Sequence, residues 1–328
     1  MKAMIAMRYG GPEVIEPREM PVPVPGRGEV LVRVRAAGVT TADWRLRAAA
    51  FPGGLALVGR LVSGLFRPRN PVLGGDFSGE VAALGAGVSE FTKGQNVYGF
   101  SGTGAHAEYL VMKADGAIAP VPVGLDVADA AALPFGMLAA WQFLTKFAGL
   151  KHGERVLVIG GSGGVGVYAI QIARWLGARV TAVASAPNHD LMRRLGAETV
   201  IDYRTTDPLS GAPWDVIFDT VGATRWRQAR RALGPRGRYV ALNFGVGDVL
   251  PSLLSRLGGR RFVIGVNEDR KEDLAALAPA LEAGDVRPVI DRRFAFDAIG
   301  EAHALVETRH RKGAVVLDIA GPPAEAAT

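Results

Sequence analysis

The residues with the clearest chemical potential are the glycines of Gly160-Gly161-Ser162-Gly163-Gly164-Val165-Gly166. They satisfy a G-x-G-x-x-G spacing at Gly161, Gly163 and Gly166, after the apolar run Arg155-Val156-Leu157-Val158-Ile159 and at the start of a helical pattern from Val165 to Leu176. Glycine permits a tight turn and brings backbone N–H groups close to a diphosphate at a helix N-terminus, where unpaired donors and the helix dipole favour negative charge. A Gly-rich string alone is often only a flexible turn. Here a strand before it, a helix after it and a second βα unit beyond point to a dinucleotide site, with a Cβ at Gly163 expected to fill the place of the phosphate.

The identity of the dinucleotide is read at the end of the second strand, Val180 to Ala184, where an acidic residue selects NAD through the ribose hydroxyls. The chain continues Ser185-Ala186 and offers no carboxylate to repel a ribose phosphate. Ser185 is small and donates hydrogen bonds, and Tyr203 and Arg204 after the third strand add a hydroxyl and a positive charge. NADPH is therefore expected over NADH. Arg193, Arg194 and Arg204 read equally well as solvated surface charges.

The 328 residues contain no cysteine, which excludes disulfides, Cys-ligated zinc or iron-sulfur sites, c-type haem and a cysteine nucleophile. His106, His152, His189, His303 and His310 show no metal-ligand spacing. The net charge of +6 raises nucleic acid as a partner, but 31 of the 38 basic residues are arginines scattered along the chain, so no nucleic-acid binding is expected. The start has no signal-peptide pattern and no uncharged run reaches membrane-spanning length, so the expected place is the cytoplasm, without stable membrane insertion.

The elements that must position these residues fall into two patterns. Residues 1–121 read as a β-rich unit, with strands at Val30 to Arg35, Gly79 to Leu84 and Asn96 to Phe100 forming a small barrel-like sheet, and Pro21 to Gly26 as an extended loop or edge. From residue 122 helices alternate with apolar strands, as in βαβ units around a doubly wound parallel sheet. Its strands are Arg155 to Ile159, Val180 to Ala184, Thr199 to Ile201, Val216 to Phe218 and Tyr239 to Leu242, with a last candidate at Phe262 to Val266. A helix at Asp190 to Leu195 follows the second strand. The unit 122–268 is then followed by a tail, 269–328, with a helix near Asp273 to Ala283 and a strand at Val315 to Ile319, expected to return to the first unit. Pro322 to Thr328 reads as frayed.

The motifs Gly38-Val39-Thr40-Thr41-Ala42-Asp43-Trp44, Gly74-Gly75-Asp76-Phe77-Ser78-Gly79, Gly104-Ala105-His106-Ala107-Glu108-Tyr109, Ala131-Ala132-Leu133-Pro134, the glycine string, Leu195-Gly196-Ala197 and Asp219-Thr220-Val221-Gly222 occur in this order. Together they resemble the medium-chain dehydrogenase/reductase superfamily, in its zinc-independent quinone oxidoreductase-like branch. The resemblance implies a GroES-like catalytic domain built from the N-terminal part and the tail, a Rossmann domain inserted in it, and an active site in the cleft. It places the backbone of Ser162, Gly163, Gly164, Val165 and Gly166 on the diphosphate, Ser185, Tyr203 and Arg204 toward the ribose phosphate, and Val221 with Leu242, Asn243 and Phe244 along the nicotinamide half. The positions of zinc ligands in related alcohol dehydrogenases read Thr40 and Gly75-Asp76, so no metal is expected.

The implied chemistry is hydride transfer from NADPH to a small hydrophobic electrophile, a quinone or an enone, by a homodimer. Without a Lewis acid, alcohol oxidation becomes the less expected reaction, and with no Tyr, Lys or His as an obvious proton donor in the expected cleft, the proton is expected from water. A zinc-independent carbonyl or alcohol dehydrogenase, and a catalytically weak NADPH-binding sensor, stay open as alternatives. The chain departs from the family pattern at Thr40 (often Asn), Ala139 (Thr) and Ala314 (Lys, with Arg311 or Lys312 as substitutes). Thr40 reads either as a cleft residue or, with Asp43 three residues on, as a helix cap before Trp44 to Arg47. The apolar segments Leu55 to Phe66 and Val249 to Leu254 read as packed loop or short helix, or as lids, a dimer contact or a membrane-surface patch.

Overall fold

The tail of the chain completes the sheet that its beginning starts. The computed structural model describes residues 1–211 and 213–319, so the expected fraying of Pro322 to Thr328 lies outside the described residues.

Strand β1 (Lys2–Ala6) pairs antiparallel with β2 (Ile15–Glu19). The spine of the first main sheet is β3 (Glu29–Val39), followed in the chain by β4 (Asp76–Leu84), β5 (Asn96–Phe100), β6 (Tyr109–Lys113) and β7 (Ile118–Pro120). β4 pairs along one edge of β3, with β5 and β7 beyond it, and β6 pairs with Glu29 to Arg33 on the other edge. Register shifts at Leu31/Val32 and Val34/Ala36 bend β3. Val30, Val32, Val34, Phe77, Val81, Val97, Leu110 and Ile118 consequently share one buried core.

Two helices leave this sheet, α1 (Thr41–Ala48) and α2 (Ala56–Ser63), and two more, α3 (Val127–Ala130) and α4 (Pro134–Gln142), lead out of it. Pro134 opens α4 where its missing N–H costs nothing. The helix runs on into a π-helical turn, Phe143–Phe147.

The second sheet holds β8 (Arg155–Ile159), β9 (Arg179–Val183), β10 (Thr199–Ile201), β11 (Trp214–Asp219), β12 (Leu233–Ala241) and β13 (Arg261–Ile264), all parallel, in the order β10-β9-β8-β11-β12-β13. Crossovers are made by α5 (Gly166–Trp175), α6 (His189–Arg194), α7 (Trp226–Ala232) and α8 (Val246–Ser255). The order reverses beside β8, which opens a crevice at the carboxyl ends of β8 and β11. β12 begins at Leu233, well before the expected Tyr239, with Gly234-Pro235-Arg236-Gly237 taken up by an irregularity in the β11/β12 register.

Helix α9 (Lys271–Glu282) packs Leu274, Leu277 and Ala280 into the core shared by α4 and α5. Asp273 accepts hydrogen bonds from Trp141 Nε1 at 3.0 Å and Gln142 Nε2 at 2.5 Å. The chain then adds β14 (Ile290–Ala295), helix α10 (Ile299–Glu307) and β15 (Ala314–Asp318). β15 pairs with Ala36 to Val39 of β3 and carries β14 on its far side, so both belong to the first main sheet.

Candidate functional site

Three glycines of the loop between β8 and α5 have three different tasks. Gly160 has φ +78°, and the added Cβ would meet Val221 Cγ1 at 2.5 Å, so only glycine serves the turn beside the β11 loop. A Cβ on Gly163 would meet nothing closer than the Gly160 carbonyl oxygen at 3.4 Å, so this residue faces open space. At Gly166 a Cβ would lie 2.1 Å from the Gly160 oxygen. Gly166 therefore serves the close seating of α5 on the loop, and it lines neither cavity described below. The N–H groups of Ser162, Gly164 and Val165 find no hydrogen-bond partner among the described residues, whereas the Gly163 N–H reaches the Gly160 carbonyl at 3.0 Å.

Two cavities meet at this loop. The first, about 490 Å³, runs over the ends of β8 and β9 and is lined by Ser162, Gly163, Ser185, Tyr203, Arg204 and Val221, among others. The Asn188 amide nitrogen donates to Ser162 Oγ at 3.3 Å and to Ser185 Oγ at 3.2 Å, tying the glycine loop to the end of β9. Asp202 accepts from the backbone N–H of Ala186 at 3.1 Å and of Arg204 at 2.9 Å, which fixes the loop that presents Tyr203 and Arg204. Asp207 is the one carboxylate among the described lining residues.

The second cavity, about 770 Å³, opens between α1 and the ends of β11 and β12. Gly163, Gly164, Val165, Val221, Asn243 and Phe244 line it, so the expected nicotinamide-side residues do converge. The loop carrying Val221 is fixed from below by Asp219, which accepts from the N–H groups of Val221 at 3.0 Å, Gly222 at 2.7 Å and Thr224 at 2.8 Å. Asn243 Nδ2 donates to the Thr220 carbonyl at 3.0 Å. The walls are aromatic, with Phe51, Phe100, Phe135 and Phe143, the last lying where α4 passes into its π turn.

Three arginines reach the cleft, of which Arg45 and Arg309 carry no signal in the sequence. Arg45 of α1 donates from Nη2 to Asn243 Oδ1 at 2.6 Å. Arg309 follows α10 with φ 61°, a left-handed conformation uncommon for arginine, and donates to the Val221 carbonyl at 3.0 Å. Arg311 is nearly buried, donates to Thr41 Oγ1 at 3.3 Å and comes within 2.8 Å of the place of a Cβ on Gly164. Burial lowers its pKa to about 10. The Gly313 N–H donates to the Ser162 carbonyl at 2.9 Å, so the segment after α10 lies against the glycine loop. Of the two substitutes weighed for the lost lysine, Arg311 is inside and Lys312 is exposed.

Of the two readings of Thr40, cleft residue or helix cap, the structure gives the cap, and Thr40 is not among the residues lining the second cavity. Its hydroxyl donates to Asp43 Oδ2 at 2.7 Å and accepts from the Asp43 N–H at 3.3 Å, a capping box for α1. The neighbouring Thr41 lines the second cavity instead. Asp76 is buried, and its carboxylate accepts the Phe135 N–H at 2.7 Å. Desolvation, with Asp43 nearby, pushes its pKa well above the usual carboxylate range. No cluster of three or more His, Asp or Glu with metal-binding placement occurs among the described residues. No helix among them is long and apolar enough to cross a membrane.

The two apolar segments form α2 and α8. Leu57, Val62 and Phe66 are exposed on one, and Leu250, Leu253 and Leu254 on the other. The stretches of chain just ahead of the two segments meet where the Val246 N–H donates to the Gly53 carbonyl at 3.0 Å, beside the cavity residues Phe51 and Phe244.

Residues 26–123 match the alcohol dehydrogenase GroES-like domain, and residues 195–317 match the zinc-binding dehydrogenase family. The chain is 33% identical to a quinone oxidoreductase of Pseudomonas aeruginosa over 94% of its own length and 97% of the relative. It is 32% identical to a chloroplastic NADPH-dependent alkenal/one oxidoreductase of Arabidopsis thaliana, over 97% of this chain and 79% of that protein. The structure of the quinone oxidoreductase from Coxiella burnetii superposes with a TM-score of 0.85 at 31% identity, over 98% of this chain and 99% of that one.

Proposed function

Because the chain belongs to the medium-chain dehydrogenase/reductase superfamily, as a quinone-oxidoreductase-like member, we propose that it reduces quinones or enones with NADPH and without zinc. That it is an NAD(P)H oxidoreductase follows from its relatives. The single observation that carries the finer reading is the pair of cavities joined at Gly163, one lined by the glycine loop and the ends of β8 and β9, the other by aromatic side chains.

The residues fit the cofactor. Unpaired N–H groups of Ser162, Gly164 and Val165, with Arg309 and Arg311 beside them, suit a diphosphate. Ser185, Tyr203 and Arg204 suit a ribose phosphate, because no carboxylate stands at the end of β9. Bound in this way, the nicotinamide supplies the hydride. The chain's own part is to hold a flat electrophile between aromatic walls, keep water out and present cationic groups to it.

The residues do not fit a catalytic zinc. Thr40 is spent on the helix cap, Gly75 offers no ligand, and the buried Asp76 is engaged by a backbone N–H. The same reading includes the division at residues 121/122 and 268/269, a cytoplasmic location, and a homodimer, for which the unpaired outer edge of β13 is available.

The test is NADPH oxidation against a panel of quinones, enones and aldehydes, repeated after treatment with a metal chelator. Turnover of quinones or enones unaffected by the chelator is expected. Cofactor binding without any turnover favours the sensor alternative, and activity lost to the chelator removes the zinc-free mechanism.

A further inference from the structure

We propose that the aromatic cavity selects electrophiles that also bear a carboxylate, and that Arg45 is the side chain that binds it. The inference rests on the reductase reading above and names the substrate class within it.

The cavity of about 770 Å³ has no Asp or Glu among its described lining residues, while Arg45, Arg309 and Arg311 all reach it. Arg309 and Arg311 also line the dinucleotide cavity, together with Gly163, and a diphosphate there accounts for both. Arg45 is different, because it lines only the aromatic cavity, in the company of Leu46, Phe51 and Phe100.

Its partner is neutral. Arg45 donates from Nη2 to Asn243 Oδ1 at 2.6 Å, and no carboxylate lies within ion-pairing distance of it among the described residues. Burial and the nearby Arg309 both lower its pKa, and the half-buried guanidinium has no counter-charge among the described residues. Asn243 is itself held by the Thr220 carbonyl at 3.0 Å, so the fork is anchored at one end and its other donors are left for a ligand. A planar guanidinium in apolar surroundings favours a carboxylate over an amide of the same shape, since only the former gives a charge-assisted pair of hydrogen bonds.

The probes are 4-(4-carboxyphenyl)but-3-en-2-one and its primary carboxamide, which differ in charge and hardly in shape. Calorimetric titration into the wild-type protein, with and without NADP⁺, is expected to show the acid binding about tenfold or more tighter than the amide. Arg45→Met closes that gap and Arg45→Lys keeps part of it. Equal affinity of acid and amide for the wild-type protein overturns the proposal without recourse to a variant, and so does a gap that survives Arg45→Met. The reductase reading fails separately: if the acid binds tighter but neither probe is reduced by NADPH, the carboxylate site stands and the proposed reaction falls.

Discussion

Arg47, whose side chain has no exposed surface, meets Glu307 at 2.7 Å and thereby joins α1 to α10. The same guanidinium donates to the Gly10 carbonyl at 2.8 Å. Glu307→Gln leaves a buried cation without its counter-charge and is expected to cost about 2 kcal/mol. A melting temperature several degrees lower should record it, and an unchanged one would show that the pair contributes nothing.

The glycine loop separates affinity from stability. Gly163→Ala adds a methyl group toward open space and is expected to weaken NADPH binding about tenfold or more with the melting temperature unchanged. Gly166→Ala drives its methyl group into the Gly160 carbonyl, 2.1 Å away, and should lower stability by about 2 kcal/mol. Thermal melts and fluorescence titration of both variants decide the matter. Equal effects on binding and melting in the two would refute the assignment.

Ser185→Asp places a carboxylate at the end of β9. The expected outcome is a shift of the NADPH-to-NADH affinity ratio toward NADH by about tenfold. An undiminished preference for NADPH removes Ser185 from the ribose-phosphate site.

His303 is fully buried beside His106, at 5.6 Å between ring centroids, and neither of its ring nitrogens has a hydrogen-bond partner among the described residues. Burial, then His106 and Arg47, depress its pKa well below the ordinary 6.5. The unfolded chain therefore takes up a proton that the folded chain refuses, so this contribution to stability is present above pH 6.5 and is lost as pH falls from there toward the depressed value. His303→Leu should lose less stability than the wild type between pH 7.5 and pH 5.5, measured by denaturant titration. Parallel losses in the two proteins would exclude His303 as the source.

Much of the parallel sheet was legible because strands buried on both faces are continuous apolar runs. β8, a central strand of this kind, begins and ends where the residues alone place it; so do its edge strand β10 and, in the antiparallel sheet, β5. The doubly wound class followed from the alternation with helices, and the glycine loop from its spacing. The short edge elements β2, β6 and β14 were not legible, since their burial is set by partners distant in the chain. Arg45 and Arg309 illustrate the same limit at the site. Each reads locally as a solvated charge, and only the fold brings them to one cavity. Arg311 had a signal, the basic residue expected near Gly313; it lines both cavities, while Lys312 is exposed.

The pairing of β3 with β15 sets an order of assembly. On the ribosome, the six parallel strands are all synthesised once residue 264 has emerged, although they begin later in the chain than β3. The sheet seeded at Glu29 must wait for Asp318 before the Ala36 to Val39 edge is covered. The inner unit can therefore fold first and serve as the template on which the outer one closes, with an unpaired strand edge exposed to chaperones or to aggregation until the final strand arrives.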